Sequence, residues 1–271
     1  MSVLELTLNP TIEAEDDDDE VSHAGRYVSE ADYWAHYYHN DGEICYEWNN
    51  GILEEKPVSD FAGSLMYLWF VGLLRQYLET RPIANVTALD LGFKLKLGHQ
   101  ETIRRPDLGV IRHDNPIQMA ADDCTYKGLF DMCIEAISDS KRSEIERDIV
   151  TKKAEYARGG VQEYYILDPK NRHMTFFQRG ARGVYLPIQP INGVIHSNVL
   201  PGFRFRLTDL HRRPSLMEMA EDELYQDFIL PEYQAEKRRA DLEQARADME
   251  QAKAERLAAK LRELGFSPDE I

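Results

Sequence analysis

The sequence predicts an α/β protein: a mixed central sheet flanked by helices, followed by a C-terminal helical tail. That assignment rests on three features. From Arg105 to Asp168 two apolar strand-like segments, an amphipathic helix and a third apolar segment follow one another, the succession that builds a helix-covered sheet. Upstream, Ile44 to Trp48 and Ile52 to Lys56 flank Asn49-Asn50-Gly51, whose residues tolerate positive φ and predict a hairpin. Downstream, Glu232 to Leu264 is rich in Ala, Glu, Arg and Gln, a composition that favours helix.

A chain of 271 residues can close one domain of about 200 residues around a sizeable core. The expected division is a disordered acidic leader over 1–25, the α/β domain over 26–213 and a helical extension over 214–271. A net charge of −16 is unlike the basic footprint of a nucleic-acid binder, but most of it lies outside the domain. Residues 1–32 hold ten acidic side chains against Arg26 alone, residues 232–271 hold ten against eight basic ones, and the span between carries −5. Such a core can hold cations that offset its carboxylates when phosphate approaches. Cys45, Cys124 and Cys133 are odd in number, lack CxxC spacing and follow no secretory signal. They predict a reducing cytoplasm and no zinc site. The most apolar window, Leu65 to Leu74, stops at Arg75 and is too short to span a bilayer.

In chain order, the run Glu15 to Glu20 lacks apolar periodicity and predicts a solvated arm. Ser29 can cap a short helix over Glu30 to Tyr38, whose Tyr33, Trp34, Tyr37 and Tyr38 are expected to pack it. Asp60 can cap a longer, largely apolar helix that ends before Pro82. Val86 to Leu97 alternates in part and predicts one long strand with Lys94 and Lys96 on a wet face. The strand after Asp107 sets Leu108 and Val110 on one face and Asp107, Gly109 and Ile111 on the other, the glycine leaving room beside Asp107. In the next strand Phe130, Met132, Ile134 and Ala136 share one face, while Asp131, Cys133, Glu135 and Ile137 share the other. Met174 to Gln178, Val184 to Ile188 and Phe203 to Leu207 predict further short strands, and from Pro214 onward the chain is expected to be helical. Leu242, Ala245, Met249, Ala252, Arg256 and Ala259 keep heptad spacing in a weak, alanine-rich coiled-coil seam, which fits a dimerising or docking helix and a lone, solvated one equally.

Asp107, Glu135 and Lys152 stand out because each occupies a position that burial would normally deny to a charge. At about 100° per residue, Ile145, Ile149 and Tyr156 define the inward stripe of the helix from Lys141 to Arg158, and Lys152 lies within it. Two carboxylates on neighbouring strands and a lysine from the covering helix suit phosphodiester hydrolysis. Asp107 and Glu135 would hold Mg²⁺, or Mn²⁺, with the Ala136 carbonyl as a further ligand. Lys152 would orient the metal-bound water or stabilise the developing charge. Lys94, Lys96, Arg104, Arg105 and Arg112 are scattered nearby as candidate phosphate contacts.

Pro106-Asp107, Glu135 in IEAIS, and D-x-x-x-K-x-x-x-Y-x-x-x-G-V-x-E-Y-x-x-x-D-P from Asp148 to Pro169 closely resemble the bacterial putative restriction endonuclease family. That family is a branch of the PD-(D/E)XK nuclease superfamily, and the resemblance spans roughly 27–212, including YEWNNGILEEKP and the LPGF turn. It implies a restriction-endonuclease-like fold and a Mg²⁺-dependent endonuclease acting on DNA, as a homodimer if both strands are cut. Residue by residue it implies Asp107 and Glu135 as metal-binding acids, Lys152 as the catalytic lysine and Glu55 as a further acid for the metal shell. The superfamily usually sets its lysine two residues after the acid; here Ile137 stands there, and the motif puts the lysine at Lys152. The alternative is a catalytically silent member that binds nucleic acid or a protein partner on the same scaffold.

Overall fold

The computed structural model describes residues 21–39, 42–57, 59–137 and 142–264. The reading of the leader's first twenty residues as a solvated arm lies outside them. A first helix, α1 (Glu30–His36), is capped by Ser29, which accepts from the Asp32 N–H. Strands β1 (Tyr46–Asn49) and β2 (Ile52–Glu55) form the expected hairpin, with Asn50 at φ 46° and Gly51 at φ 99°. Helix α2 (Phe61–Thr80) starts at Asp60, whose carboxylate accepts from the Gly63 N–H at 2.7 Å.

The segment expected as one long strand from Val86 is two. β3 (Ala84–Thr87) and β4 (Phe93–Leu97) lie in different sheets, and Leu89 and Asp90 between them adopt positive φ of 60° and 58°. Two left-handed residues in succession cannot continue an extended strand, so the chain turns there. β4 keeps the anticipated alternation, with Phe93, Leu95 and Leu97 buried and Lys96 exposed. β5 (Gln100–Arg104), hidden in a polar stretch, pairs with both β4 and β1.

The central sheet has six strands in the order β10-β9-β8-β7-β6-β3, with β6 (Leu108–Arg112), β7 (Met132–Ala136) and β8 (Glu163–Leu167) in its middle. β7 and β8 are parallel and the remaining pairs antiparallel. Completing it are β9 (Thr175–Arg179) and β10 (Tyr185–Pro187). The parallel pair requires a crossover, supplied by α3 (Arg142–Glu146), a π-helical turn (Arg147–Lys152) and α4 (Lys153–Gly159). Gly160, at φ 108°, stops that helix.

Each face of the central sheet carries its own core. α2 lays Met66, Phe70, Leu73, Leu74 and Tyr77 against Leu108, Val110, Met132 and Ile134, joined by Phe203 and by Phe205 of the small pair β11 (Val194–His196) and β12 (Arg204–Arg206). The opposite face buries Ile111, Cys133, Ile137 and Tyr156 against Phe93 and Leu95. Phe130 belongs to this second core, not to the face of Met132 as expected, because it precedes the regular strand. Nor is there room at Gly109: a Cβ there would lie 2.4 Å from the Phe130 ring.

The chain beyond Pro214 is not one continuous helix. After α5 (Asp209–Arg212) and α6 (Leu216–Ala220), turns lead to α7 (Pro231–Glu263). Met219, Ala220, Tyr225, Phe228 and Ile229 fill the first core, so residues beyond Arg213 take part in its packing. α7 buries only Gln234, and its Leu242, Met249 and Leu257 are all exposed. Among the described residues no helix is long and apolar enough to cross a membrane. Because Phe130 is fully buried between Phe93 and Tyr126, it cannot swing away from a new methyl group. Gly109→Ala is expected to destabilise the domain by about 1–3 kcal/mol, read as a lower urea midpoint with an unchanged slope.

Candidate active site

β6 and β7 pair antiparallel with Leu108 opposite Ile134; one step further on, Asp107 comes opposite Glu135. Both acids line one cavity of about 370 Å³, together with Ala136, Asp148 and Lys152. Asp107 is fixed at both oxygens. Its Oδ2 accepts from the Ala136 N–H at 2.7 Å, and its Oδ1 lies 2.8 Å from Lys56 Nζ. The backbone carbonyl of Asp107 accepts from the Tyr67 hydroxyl on α2.

Glu135 is almost fully buried, and its Oε1 accepts from Lys152 Nζ at 3.1 Å and from the Tyr156 hydroxyl at 2.9 Å. The Lys152 ammonium, itself 1 % exposed, also lies 3.2 Å from Glu47 Oε1 and 3.1 Å from Asp148 Oδ1. Glu135 is the neighbour expected there; Glu47 is not. The inward orientation of Lys152 follows the apolar stripe, but the widened π-helical turn adds Arg147 and Asp148 to the buried set. Such turns recur at functional sites because they re-aim side chains without ending the helix. Ile137, in the usual lysine position, is buried in the second core.

Charge states follow from burial and neighbours. Burial pushes the Glu135 carboxyl up to about 8, and nearby Asp107 and Asp148 add to this, against the opposing pull of Lys152. Burial acts the same way on Glu47, but Lys152, Arg104 and Arg147 outweigh it and hold Glu47 well below the usual carboxylate range. Burial would lower both lysines. Asp148, Glu135 and Glu47 outweigh it for Lys152 and hold it above the ordinary lysine range; Asp107, Glu135 and Asp90 do the same for Lys56.

Glu55 does not line this cavity. In the hairpin register Glu47 faces Glu54, while Glu55 faces Tyr46, so the period-two alternation turns Glu55 the other way. Its carboxylate accepts from Ser22. The hairpin acid that reaches the site is Glu47. Arg104 and Arg105 are likewise unable to serve as phosphate contacts. Arg104, fully buried, is bidentate to Glu155 at 2.6 and 2.8 Å and also meets Glu47 and Glu54; buried Arg105 donates to the carbonyls of Asp90 and Tyr38. Lys94 pairs with Glu30 and Glu101, and Arg112 with Asp114.

The donor set suits a hard cation. Two carboxylates with the Ala136 backbone beside them match Mg²⁺, which takes one or two carboxylates and keeps several waters. Among the described residues no group of three or more His, Cys, Asp or Glu side chains forms an all-protein metal cage.

A family model described as putative restriction endonuclease matches residues 31–208. The chain belongs to that family. No curated protein matches this family member. Among solved structures, it is similar to a putative nuclease belonging to DUF820 from Anabaena variabilis ATCC 29413. The two share 18% identity over 64% of this chain and 92% of that one, with a TM-score of 0.47.

The upward shift of Glu135 carries a pH signature. The folded protein holds a proton on Glu135 that the unfolded chain releases near the ordinary 4.5. Stability contributed by the protonated form is therefore complete below 4.5 and drains away as pH rises to about 8. In a chelator, the melting temperature of the wild type should fall across that window, and Glu135→Gln should flatten the fall. Parallel pH profiles for the two proteins would show the charge to be unimportant there.

Proposed function

We propose that this chain is a Mg²⁺-dependent endonuclease that hydrolyses DNA phosphodiester bonds, Mn²⁺ serving as a substitute. The observation that carries this reading is the meeting of Asp107, Glu135 and Lys152 at one open cavity, three ionisable side chains from two strands and a crossover helix. Family membership supports nuclease chemistry as its use.

Asp107 and Glu135 would hold the ion, with the Ala136 carbonyl as a third protein ligand. When bound, it supplies Lewis-acid charge neutralisation and a lowered pKa for a ligated water. Glu135 must first give up its proton, since a carboxylate ligates a cation only when ionised. Lys152 is held charged by three carboxylates, so its role is to donate toward the charge developing on phosphate rather than to act as a base. Its contact with Glu135 is a hydrogen bond, whereas Asp148 Oδ1 has no hydrogen-bond partner. An N–H can therefore turn to substrate. A cut through both strands needs two such centres, so the acting form is proposed to be a homodimer.

Plasmid nicking in Mg²⁺ or Mn²⁺ tests the assignment. The wild type should convert supercoiled to open-circular DNA. Asp107→Ala, Glu135→Ala and Lys152→Ala should each lower the rate by at least about a hundredfold, the scale of removing one electrostatic stabiliser. DNA binding without cleavage by the wild type would instead identify a silent nuclease-fold binder.

A further inference from the structure

Lys56 follows directly on β2 and lines the cavity, at a position that the resemblance assigns no role in the site, and its side chain is 9 % exposed. Three oxygen atoms surround its ammonium: Asp107 Oδ1 at 2.8 Å, the Arg105 carbonyl at 2.9 Å and the Asp90 carboxylate in direct contact. It donates to the Arg105 carbonyl and to Asp90, and its charge pairs with Asp107. Lys152 likewise sits among three carboxylates, at 3.1–3.2 Å.

The cradle around Lys56 is built at a cost. Asp90 reaches it from the turn in which Leu89 and Asp90 both hold positive φ, a conformation that persists in non-glycine residues only where surroundings fix it. The surroundings do so here: Arg105 donates to the Asp90 carbonyl at 2.8 Å, and its own carbonyl accepts from Lys56. On the other side, two of the roughly four acceptor positions of Asp107 are already taken, one by the Ala136 N–H and one by Lys56. A second cation bound at Oδ1 would therefore meet the Lys56 charge already beside it, and like charges repel.

We propose that Lys56 is a built-in cation beside Asp107, filling the place of a second metal, so that the site takes up one divalent ion and Lys56 limits how tightly it is held. This rests on the nuclease reading above. Lys56 is a positioning residue in this account, acting through Asp107.

Calorimetric titration of the full chain with Mn²⁺ tests it without an activity assay. The wild type should bind one Mn²⁺ per chain. Lys56→Gln should bind it at least tenfold more tightly, and Lys56→Arg should keep the wild-type value. In a chelator Lys56→Gln should melt below the wild type, because Asp90 and Asp107 lose their partner, and Mn²⁺ should raise its melting temperature by more degrees than it raises the wild type's. If Lys56→Gln fails to fold without metal, recovery of its native circular dichroism on refolding in Mn²⁺ supports the assignment, and failure to recover overturns it. Two ions in the wild type, or equal affinities in a folded Lys56→Gln, would also overturn it. Binding that is lost in Asp107→Asn but unmoved by Lys56→Gln sinks the Lys56 role alone. No uptake by any form sinks the nuclease reading with it.

Discussion

A single buried ammonium, that of Lys152, ties together three parts of the chain that share no sequence neighbourhood. Glu47 reaches it from the hairpin, Glu135 from the middle of the central sheet and Asp148 from the crossover helix. Desolvating so many charges is expensive, and removing one partner from such a set leaves an uncompensated buried charge. The hairpin, the sheet and the crossover are therefore held to one mutual arrangement, which brings Lys152 to the cavity where strand pairing sets Asp107 beside Glu135.

A second buried cation extends the arrangement outward. Arg104 on β5 grips Glu155 on α4 and meets Glu47 and Glu54 of the hairpin, so the smaller sheet is tied to the same helix that carries Lys152. Apolar packing alone would let β4 and β5 slide over α4, since the hydrophobic effect is non-directional. A bidentate guanidinium has one geometry. Glu47, shared between Arg104 and Lys152, joins the two networks and makes the position of Lys152 depend on the hairpin.

Much of this arrangement is legible in the amino-acid order, and the gaps have physical causes. The turn at Asn50-Gly51, the cap at Asp60 and the inward direction of Lys152 are local properties, set by backbone preference and a 3.6-residue period. Glu135 is conspicuous because an acid among Cys133, Ile134 and Ile137 on a central strand is costly to bury without a partner. Glu47 and Lys56 escape such reasoning because each meets its partners across long separations, and a charged residue in a hairpin usually faces water. Glu55 draws attention by its motif position, yet strand alternation turns it away and brings Glu47 to the site instead. β5 is concealed for a related reason: Gln100-Glu101-Thr102 looks solvated, while Thr102 and Arg104 are buried. The widened turn at Arg147–Lys152 leaves no mark on the apolar stripe, because Ile145, Ile149 and Tyr156 satisfy an ordinary helical period closely enough.

That widened turn has a bearing on how relatives of this chain can diverge. A π-helical turn accommodates one residue more than an α-helical turn, so it amounts to an insertion absorbed inside the crossover. Losing one residue there would restore regular helix with the flanking turns still in register, because the wide turn holds the extra residue. Asp148 and Lys152 would still share a face, but would meet Glu47 and Glu135 from a changed angle. Chain length across this crossover, as well as residue identity, sets the angle at which these two side chains meet the sheet.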